Sequence, residues 1–230
     1  MSVEAYEDQL LQTIDKVLGE KADVTAALLG EPVQSVGGIC PSKRWWQKVD
    51  EIRKRHGILL ILDEIQTGCG RTGKMFASEH FGLQPDILTS AKGLSGGVGS
   101  LGAVVVNAEV GEGFYAGTTP TSGGNAISAS AGLALLKVLE KDKIVEHCAA
   151  MGEYFTSKVA DLNDPWVGDI RLTGLLGGVE LVLDQKTKEP VPKPKMLEIQ
   201  NTLFESGNLL TASGPNGNVL RLQPPLVITK

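Results

Sequence analysis

The sequence predicts an α/β fold with a mostly parallel β-sheet, because apolar runs of strand length alternate with a helical pattern. Residues 24–30 and 58–62 are short apolar runs of the kind found in strands buried on both faces. Residues 42–56 between them carry apolar side chains at helical spacing within a basic segment. A strand, a helix and a second strand in this order are expected to form a right-handed crossover between parallel strands.

Polar side chains follow two of the predicted strands. Asp63 and Gln66 come after the run at 58–62, and Lys92 follows a second apolar run at 87–88. Because ligands bind outside the carboxyl ends of strands in open α/β sheets, we expect these three side chains to converge on one crevice. A lysine amine forms a Schiff base with an aldehyde cofactor, and a carboxylate keeps a pyridine nitrogen protonated. The three residues together therefore suit the chemistry of a pyridine aldehyde cofactor.

Two sequence motifs extend this pattern. Residues 63–73 contain D-E-x-Q-x-G-x-G-R-T-G, and residues 85–94 contain P-D-I-L-x-x-A-K-G-L. These motifs resemble those of the class III aminotransferases, which are fold type I enzymes that use pyridoxal 5'-phosphate (PLP). The resemblance implies that Lys92 holds PLP as a Schiff base, that Asp63 pairs with the pyridinium nitrogen, and that Gln66 lies beside the cofactor phenolate.

Two further segments resemble the same family. Residues 31–38 contain E-P-V-Q-S-V-G-G, and the resemblance implies that Glu31 lies on the substrate side of the cofactor, where it can pair with an arginine. Residues 117–125 are similar to the family's phosphate-binding loop. This similarity implies that Thr121 binds the cofactor phosphate of the neighbouring subunit in a homodimer.

A last motif lies near the end of the chain. Residues 220–226 contain L-R-L-Q-P-P-L, and the resemblance implies that Arg221 clamps the α-carboxylate of the substrate. The planar guanidinium group suits a bidentate contact with a carboxylate. The alternative is an arginine at the edge of a sheet that points into solvent.

The glycine-rich segment permits other interpretations. The G-x-G-x-x-G spacing at 68–73 fits the dinucleotide-binding fingerprint, and residues 68–74 resemble a P-loop. However, five residues separate the glycines from the strand, no helix clearly begins on them, and Met75 stands where a P-loop needs Ser or Thr. A third interpretation is that Asp63 only caps a strand and that Lys92 is a solvated loop lysine.

Composition excludes several classes of function. The net charge of −5 gives no basic footprint for nucleic acid, and no apolar run is long enough to span a membrane. The three cysteines are odd in number and share no metal-ligand spacing, so we expect no metal site and a reducing, cytoplasmic location. The partners that the resemblance implies are a small-molecule amino donor, a 2-oxo acid acceptor and a second copy of the chain.

Periodicity places the remaining elements. We expect helices at 2–20, 125–141, 143–161 and 195–206, and strands at 103–106, 167–173, 175–183 and 208–212. The helix at 125–141 is rich in alanine and leucine, which predicts that it is buried. The resemblance implies that residues 1–141 are part of the PLP-binding large domain, with its mostly parallel sheet and helices. It also implies that residues 142–230 form a small α+β C-terminal domain.

The resemblance implies an enzyme that moves an amino group between an amine or amino acid and a 2-oxo acid, with Lys92 as the general base. It leaves open a dialkylglycine-type decarboxylating transaminase, a racemase or aminomutase, and a truncated, non-catalytic remnant. Family members are longer, so we expect this chain to lack an N-terminal part and the extreme C-terminus. Because part of the phosphate cradle would then be missing, we expect the chain alone to fold poorly or to be weakly active.

Overall fold

A computed structural model describes residues 2–113 and 121–230, and the chain separates into two compact units. The first unit comprises Met1–Pro32, Pro41–Cys69 and Lys74–Asp142, and the second comprises Val33–Cys40, Gly70–Gly73 and Lys143–Lys230. Two short segments from the first half of the sequence therefore group with the second unit. One of these segments is the central part of the glycine-rich motif.

The first unit contains a four-stranded sheet with helices, which confirms the α/β prediction. Its strands are β1 (Ala27–Gly30), β2 (Leu59–Asp63), β3 (Ile87–Ser90) and β4 (Ala103–Val106), and its helices are α1 (Val3–Lys21), α2 (Lys43–Arg55), α3 (Ser78–Phe81), α4 (Ala108–Glu112) and α5 (Ala126–Lys141). The strand order is β1-β2-β3-β4. The first three strands are parallel, and β4 is antiparallel to β3.

Helix α2 forms because its sequence provides both an N-cap residue and an apolar face that is buried. The Ser42 hydroxyl accepts a hydrogen bond from the backbone N–H of Trp45, which caps the first turn. The apolar side chains Trp46, Val49 and Ile52 recur at helical spacing and are buried. The indole of Trp46 also donates a 2.9 Å hydrogen bond to the carbonyl oxygen of Pro32. This bond fixes the chain just beyond the carboxyl end of β1.

Asp86 organises the opposite end of the sheet. One oxygen of its carboxylate accepts hydrogen bonds from Nη1 of Arg53 at 2.5 Å and from the backbone N–H of Leu60 at 2.8 Å. The other oxygen accepts from the side-chain amide of Asn107 at 2.8 Å. Asp86 therefore joins the last turn of α2 to the amino ends of β2 and β3, and so fixes their alignment.

We expect Asp86→Ala to lower the free energy of unfolding by about 3 kcal/mol. It removes one of the two carboxylates paired with the buried Arg53 guanidinium, and it leaves the Leu60 N–H and the Asn107 amide without this acceptor. Asp8→Ala is a matched control, since the Arg44–Asp8 ion pair is also 2.5 Å long but lies in solvent. Its removal should cost less than about 1 kcal/mol. Urea denaturation of both variants measures the difference. Equal losses would show that Asp86 does not anchor the sheet.

The second unit consists of antiparallel strands packed with two helices. Its elements are α6 (Ile144–Val159), β5 (Val167–Thr173), β6 (Leu176–Asp184), β7 (Glu189–Pro190), α7 (Lys193–Glu205), β8 (Ala212–Ser213) and β9 (Val219–Leu222). The strand order is β5-β6-β9-β8, with β7 paired to β6. Leu181, Val191, Met196 and Leu220 form its buried core.

Two sequence predictions about these elements were wrong. The strand expected at 208–212 is reduced to Ala212–Ser213, because only these residues pair with β9. Helix α5 was expected to be buried, but among the described residues its outer face is open, with Ile127 74% and Leu133 55% exposed. The helix is apolar on more than one side, whereas the described chain covers only the side that contains Ser128, Gly132 and Leu139.

Candidate active site

The predicted site residues of the first unit follow the carboxyl ends of its parallel strands. Gly30 of β1 pairs with Leu62 of β2, so Glu31 and Asp63 are the next residues on neighbouring strands. Asp63 in turn pairs with Thr89 of β3, which ends at Ser90, two residues before Lys92. Three of the predicted residues therefore lie along one edge of the sheet, as the parallel arrangement requires.

The backbone around Asp63 is fixed on both sides. The N–H of Glu64 donates to the carbonyl oxygen of Thr89 at 2.9 Å, which continues the ladder one residue beyond β2. Oδ1 of Asp63 accepts a 2.9 Å hydrogen bond from the backbone N–H of Ile65. Among the described residues, Asp63 makes this one side-chain hydrogen bond, through Oδ1. Oδ2 is therefore left for another donor. One oxygen of the half-buried carboxylate is thus anchored to the backbone of the following turn.

Lys92 has an unusual backbone conformation. Its φ angle is +46°, a region that non-glycine residues rarely adopt and that is enriched at functional sites. The residue begins a short 3₁₀ helix, Lys92–Ser95, and it is exposed. Helix α5 approaches this turn closely at Gly132, where an added Cβ would lie 3.1 Å from the carbonyl oxygen of Leu94. A larger residue would force Leu94 and the Leu101 side chain to shift, so glycine favours this close approach, and no sequence pattern singled out Gly132.

Glu64 is a second residue whose role the sequence analysis missed. Its carboxylate is completely buried and accepts hydrogen bonds from the Thr67 hydroxyl and from the backbone N–H groups of Ala77 and Ser78 at 2.9 and 2.7 Å. Glu64 therefore closes the base of the loop that begins directly after Asp63. The sequence signal that could have indicated this role is a second acid directly after Asp63, followed three residues later by Thr67.

The other predicted residues of the first unit lie in turns. Gln66 is half-buried in the turn that follows β2. Thr121 is exposed in the turn before α5, which is capped by Asn125 through a 3.0 Å hydrogen bond from the N–H of Ser128. Residues 117–120 of the predicted phosphate loop lie outside the described part of the chain.

The glycines at 70 and 73 pack against helix α6 in the second unit. An added Cβ would lie 3.1 Å from Cγ2 of Val145 at Gly70, and 2.9 Å from Cα of Ala149 at Gly73. Both glycines have positive φ angles, +87° and +81°. Helix α6 therefore occupies the space on the Cβ side of both glycines, and no phosphate can approach their backbone from that side. The geometry argues against both the dinucleotide and the P-loop interpretations.

Arg221 lies on β9 of the second unit, opposite Gly178 of β6. Its backbone N–H donates to the carbonyl oxygen of Thr211, the residue before β8, at 2.9 Å, so the backbone of Arg221 is held on both sides. Nη1 of Arg71 donates to the carbonyl oxygens of Leu175 and Pro224, at 3.1 and 2.5 Å. Burial lowers the pKa of Arg71, and the positive charge of Arg221 lowers it further. Arg71 belongs to the G-R-T-G motif, but the sequence alone assigned it no role.

The family model for class-III aminotransferases matches residues 2–230, which is nearly the whole chain. The chain belongs to the class-III aminotransferase family. The solved structure of a thermostable (S)-enantioselective omega-transaminase from Thermomicrobium roseum superimposes with a TM-score of 0.91 and 31% sequence identity, covering 100% of this chain and 53% of that one.

Curated relatives from the family agree on the same region. A probable 4-aminobutyrate aminotransferase from Bacillus subtilis is 37% identical over 100% of this chain and 53% of its own length. A leucine/methionine racemase from Thermococcus litoralis is 39% identical over 91% of this chain and 47% of its own length. The chain therefore spans about half the length of the curated relatives that it matches.

The residues present at the sheet edge fit the PLP of a class-III aminotransferase. An exposed lysine follows one strand, and a carboxylate with an oxygen left for a donor ends the adjacent strand. These are the groups that an aldehyde and a protonated pyridine nitrogen need.

Among residues 2–113 and 121–230, no cluster of three His, Cys, Asp or Glu side chains could hold a metal ion. No helix in those ranges is both long and apolar enough to cross a membrane.

We expect Gly73→Ala to be clearly more destabilising than Gly207→Ala. Both glycines have similar positive φ angles, +81° and +84°, so both substitutions introduce about 1 kcal/mol of backbone strain. An added Cβ at Gly207 meets open space, whereas at Gly73 it collides with Ala149, which should cost roughly 2 kcal/mol more. Thermal or urea unfolding measures the difference. Equal effects would contradict close packing of this loop on α6.

Proposed function

We propose that this chain carries the cofactor site of a PLP-dependent aminotransferase that moves an amino group between an amine or amino acid and a 2-oxo acid. The observation that carries the proposal is the position of Asp63 and Lys92 at the carboxyl ends of adjacent parallel strands. Membership in the class-III aminotransferase family supports the same chemistry.

The proposed roles follow from the chemistry of each side chain. PLP, when bound, supplies an electron sink that stabilises negative charge at the substrate Cα. The amine of Lys92 holds the cofactor aldehyde and later moves the proton at the substrate Cα. The Asp63 carboxylate keeps the pyridine nitrogen protonated, and Gln66 donates to the phenolate oxygen. Lys92 and Asp63 can perform these roles from their positions at the sheet edge.

Three further roles belong to the same proposal. Thr121 binds the cofactor phosphate of a second copy in a homodimer, and its exposure at the turn before α5 is compatible with such a contact. Arg221 binds the substrate carboxylate. Glu31 switches between pairing with an arginine and leaving that arginine free, which lets one site take two substrates. We also propose a cytoplasmic location, which is supported by the three cysteines Cys40, Cys69 and Cys148, none of which forms a disulfide bond.

Racemisation is a second candidate, because a relative of similar identity is named a leucine/methionine racemase. Both reactions remove the Cα proton of an amino acid. They differ in whether the amino group leaves with the cofactor or the proton returns to the opposite face of the same carbon. The sheet-edge residues that we describe serve both reactions.

Although we expect the chain alone to be weakly active, the PLP that it takes up should be attached covalently to Lys92. Borohydride reduction followed by peptide mass mapping should place the pyridoxyl group on Lys92, and Lys92→Arg should abolish the label. Lys74→Arg is a matched control, because Lys74 is also exposed and lies in the neighbouring loop. Labelling spread over surface lysines, or unchanged in Lys92→Arg, would overturn the proposed cofactor site.

The PLP-loaded chain should convert L-alanine to pyruvate when 2-oxoglutarate is present. D-alanine should accumulate much more slowly than pyruvate. Asp63→Asn should keep the covalent label but lower kcat roughly a hundredfold, because a preorganised charge that stabilises the reacting system is lost. Chiral chromatography and a coupled pyruvate assay separate the two reactions. D-alanine formation without an acceptor would instead favour the racemase.

A further inference from the structure

The side chain and backbone of Arg71 together join three segments of the second unit. Nη1 donates to the carbonyl oxygen of Leu175, and the backbone N–H of Leu175 donates back to the carbonyl oxygen of Arg71 at 2.9 Å. The same Nη1 donates to the carbonyl oxygen of Pro224 at 2.5 Å. One guanidinium therefore ties the glycine loop to the β5–β6 turn and to the chain that leaves β9.

The loop reaches this position because glycines line its path. An added Cβ at Gly174, in the β5–β6 turn, would lie 2.3 Å from the carbonyl carbon of Thr72. An added Cβ at Gly152 of α6 would lie 2.4 Å from the carbonyl oxygen of Gly174. These backbones are packed as closely as sterics permit, so Arg71 has little freedom to move.

Arg221 lies three residues before Pro224 on the same segment. The sheet holds the backbone of Arg221 itself, but β9 ends at Leu222. The next residues include Pro224 and Pro225, which have no backbone N–H to donate. The Pro224 carbonyl is therefore a natural place to anchor the segment, and Arg71 provides that anchor.

Arginine suits this task better than lysine. The ammonium group of lysine is one bond closer to the backbone than Nη1, so it cannot maintain both carbonyl contacts at hydrogen-bond distance without moving the loop. Arginine also stays charged when buried, whereas lysine can lose its proton. The two guanidinium groups of Arg71 and Arg221 are close enough to repel each other electrostatically. A bound anion would relieve this repulsion.

We propose that Arg71 is a positioning residue for substrate carboxylate binding, because it fixes the direction in which the segment after β9 leaves Arg221. The inference rests on the proposed function only in that Arg221 is taken as the carboxylate-binding residue. Arg71 itself acts through backbone carbonyls and its charge.

Hydrogen exchange tests the anchoring without any need for activity. In Arg71→Met, amide exchange in the peptide covering 221–228 should accelerate about tenfold, which corresponds to the loss of a charge-assisted hydrogen bond. Exchange in α7 should not change. Arg171→Lys is a matched control, because Arg171 also bridges segments of the second unit, through Gly37, Asp169 and Glu180. Unchanged exchange at 221–228 in Arg71→Met would overturn the proposal.

Steady-state kinetics of the PLP-loaded chain distinguish the positioning effect of the Arg71 side chain from the effect of its positive charge. L-alanine carries a carboxylate, whereas 1-phenylethylamine does not. Arg71→Lys, which keeps the charge but shortens the side chain, should raise KM for L-alanine about tenfold and leave KM for 1-phenylethylamine and the kcat values nearly unchanged. Arg171→Lys should change neither KM. An Arg71→Lys variant with unaltered KM for L-alanine would show that charge alone matters, and would overturn a positioning role.

Arg221→Met distinguishes failure of this inference from failure of the proposed function. If Arg221→Met raises KM for L-alanine but the Arg71 variants do not, the carboxylate site stands and the positioning role fails. If Arg221→Met has no effect on KM for L-alanine, the proposed role of Arg221 is wrong. Circular dichroism of each variant verifies that the second unit remains folded, and Arg71→Lys provides the milder change if Arg71→Met does not fold.

Discussion

Parallel backbone pairing between β1, β2 and β3 determines where the chemistry of the first unit can lie. In parallel strands all carboxyl ends face the same edge, so residues that follow each strand are brought together whatever their separation in sequence. The pairs Gly30 with Leu62 and Asp63 with Thr89 put Glu31, Asp63 and Lys92 along that edge. A slip of the register by one residue would turn each side chain to the opposite face of the sheet.

Buried polar groups maintain this register at both ends of the strands. Asp86 fixes the amino ends through Arg53 and two further donors. Glu64 fixes the carboxyl end of β2, because its carboxylate is satisfied entirely by donors from the loop that follows. Buried charges are costly unless each oxygen finds a donor. Such networks therefore hold one geometry and penalise alternatives, which is what a site of converging side chains requires.

Glycine serves the second unit in a different way. Gly70 and Gly73 of the G-x-G-R-T-G motif let the loop pack directly against α6, and Gly174 of the β5–β6 turn lets that turn approach the backbone of Thr72. The motif resembles phosphate-binding loops because both uses need the absence of a Cβ. A linear pattern cannot distinguish a backbone that approaches a ligand from one that approaches another helix. The difference appears only when the neighbour of each glycine is known.

Much of the fold could be predicted from the sequence, and so could part of the candidate site. The α/β class and most helices and strands followed from periodicity and capping residues such as Ser42, because these depend on neighbours within a few positions. The family resemblance followed from motifs that contain Asp63 and Lys92. The exposed face of α5 and the shortened strand at 212–213 were missed, since burial and pairing depend on which other segments are present.

The sequence by itself determined the elements, the family and the residue types available for chemistry, because these are properties of local pattern. Only the tertiary structure decided that Glu64 closes a loop, that Gly132 admits α5 beside the Lys92 turn, and that Arg71 holds the segment bearing Arg221. The last two of these roles are contacts between residues far apart in the chain. Arg71 and Pro224 are separated by 153 positions. Such contacts are fixed by packing and hydrogen-bond geometry, which no local pattern records.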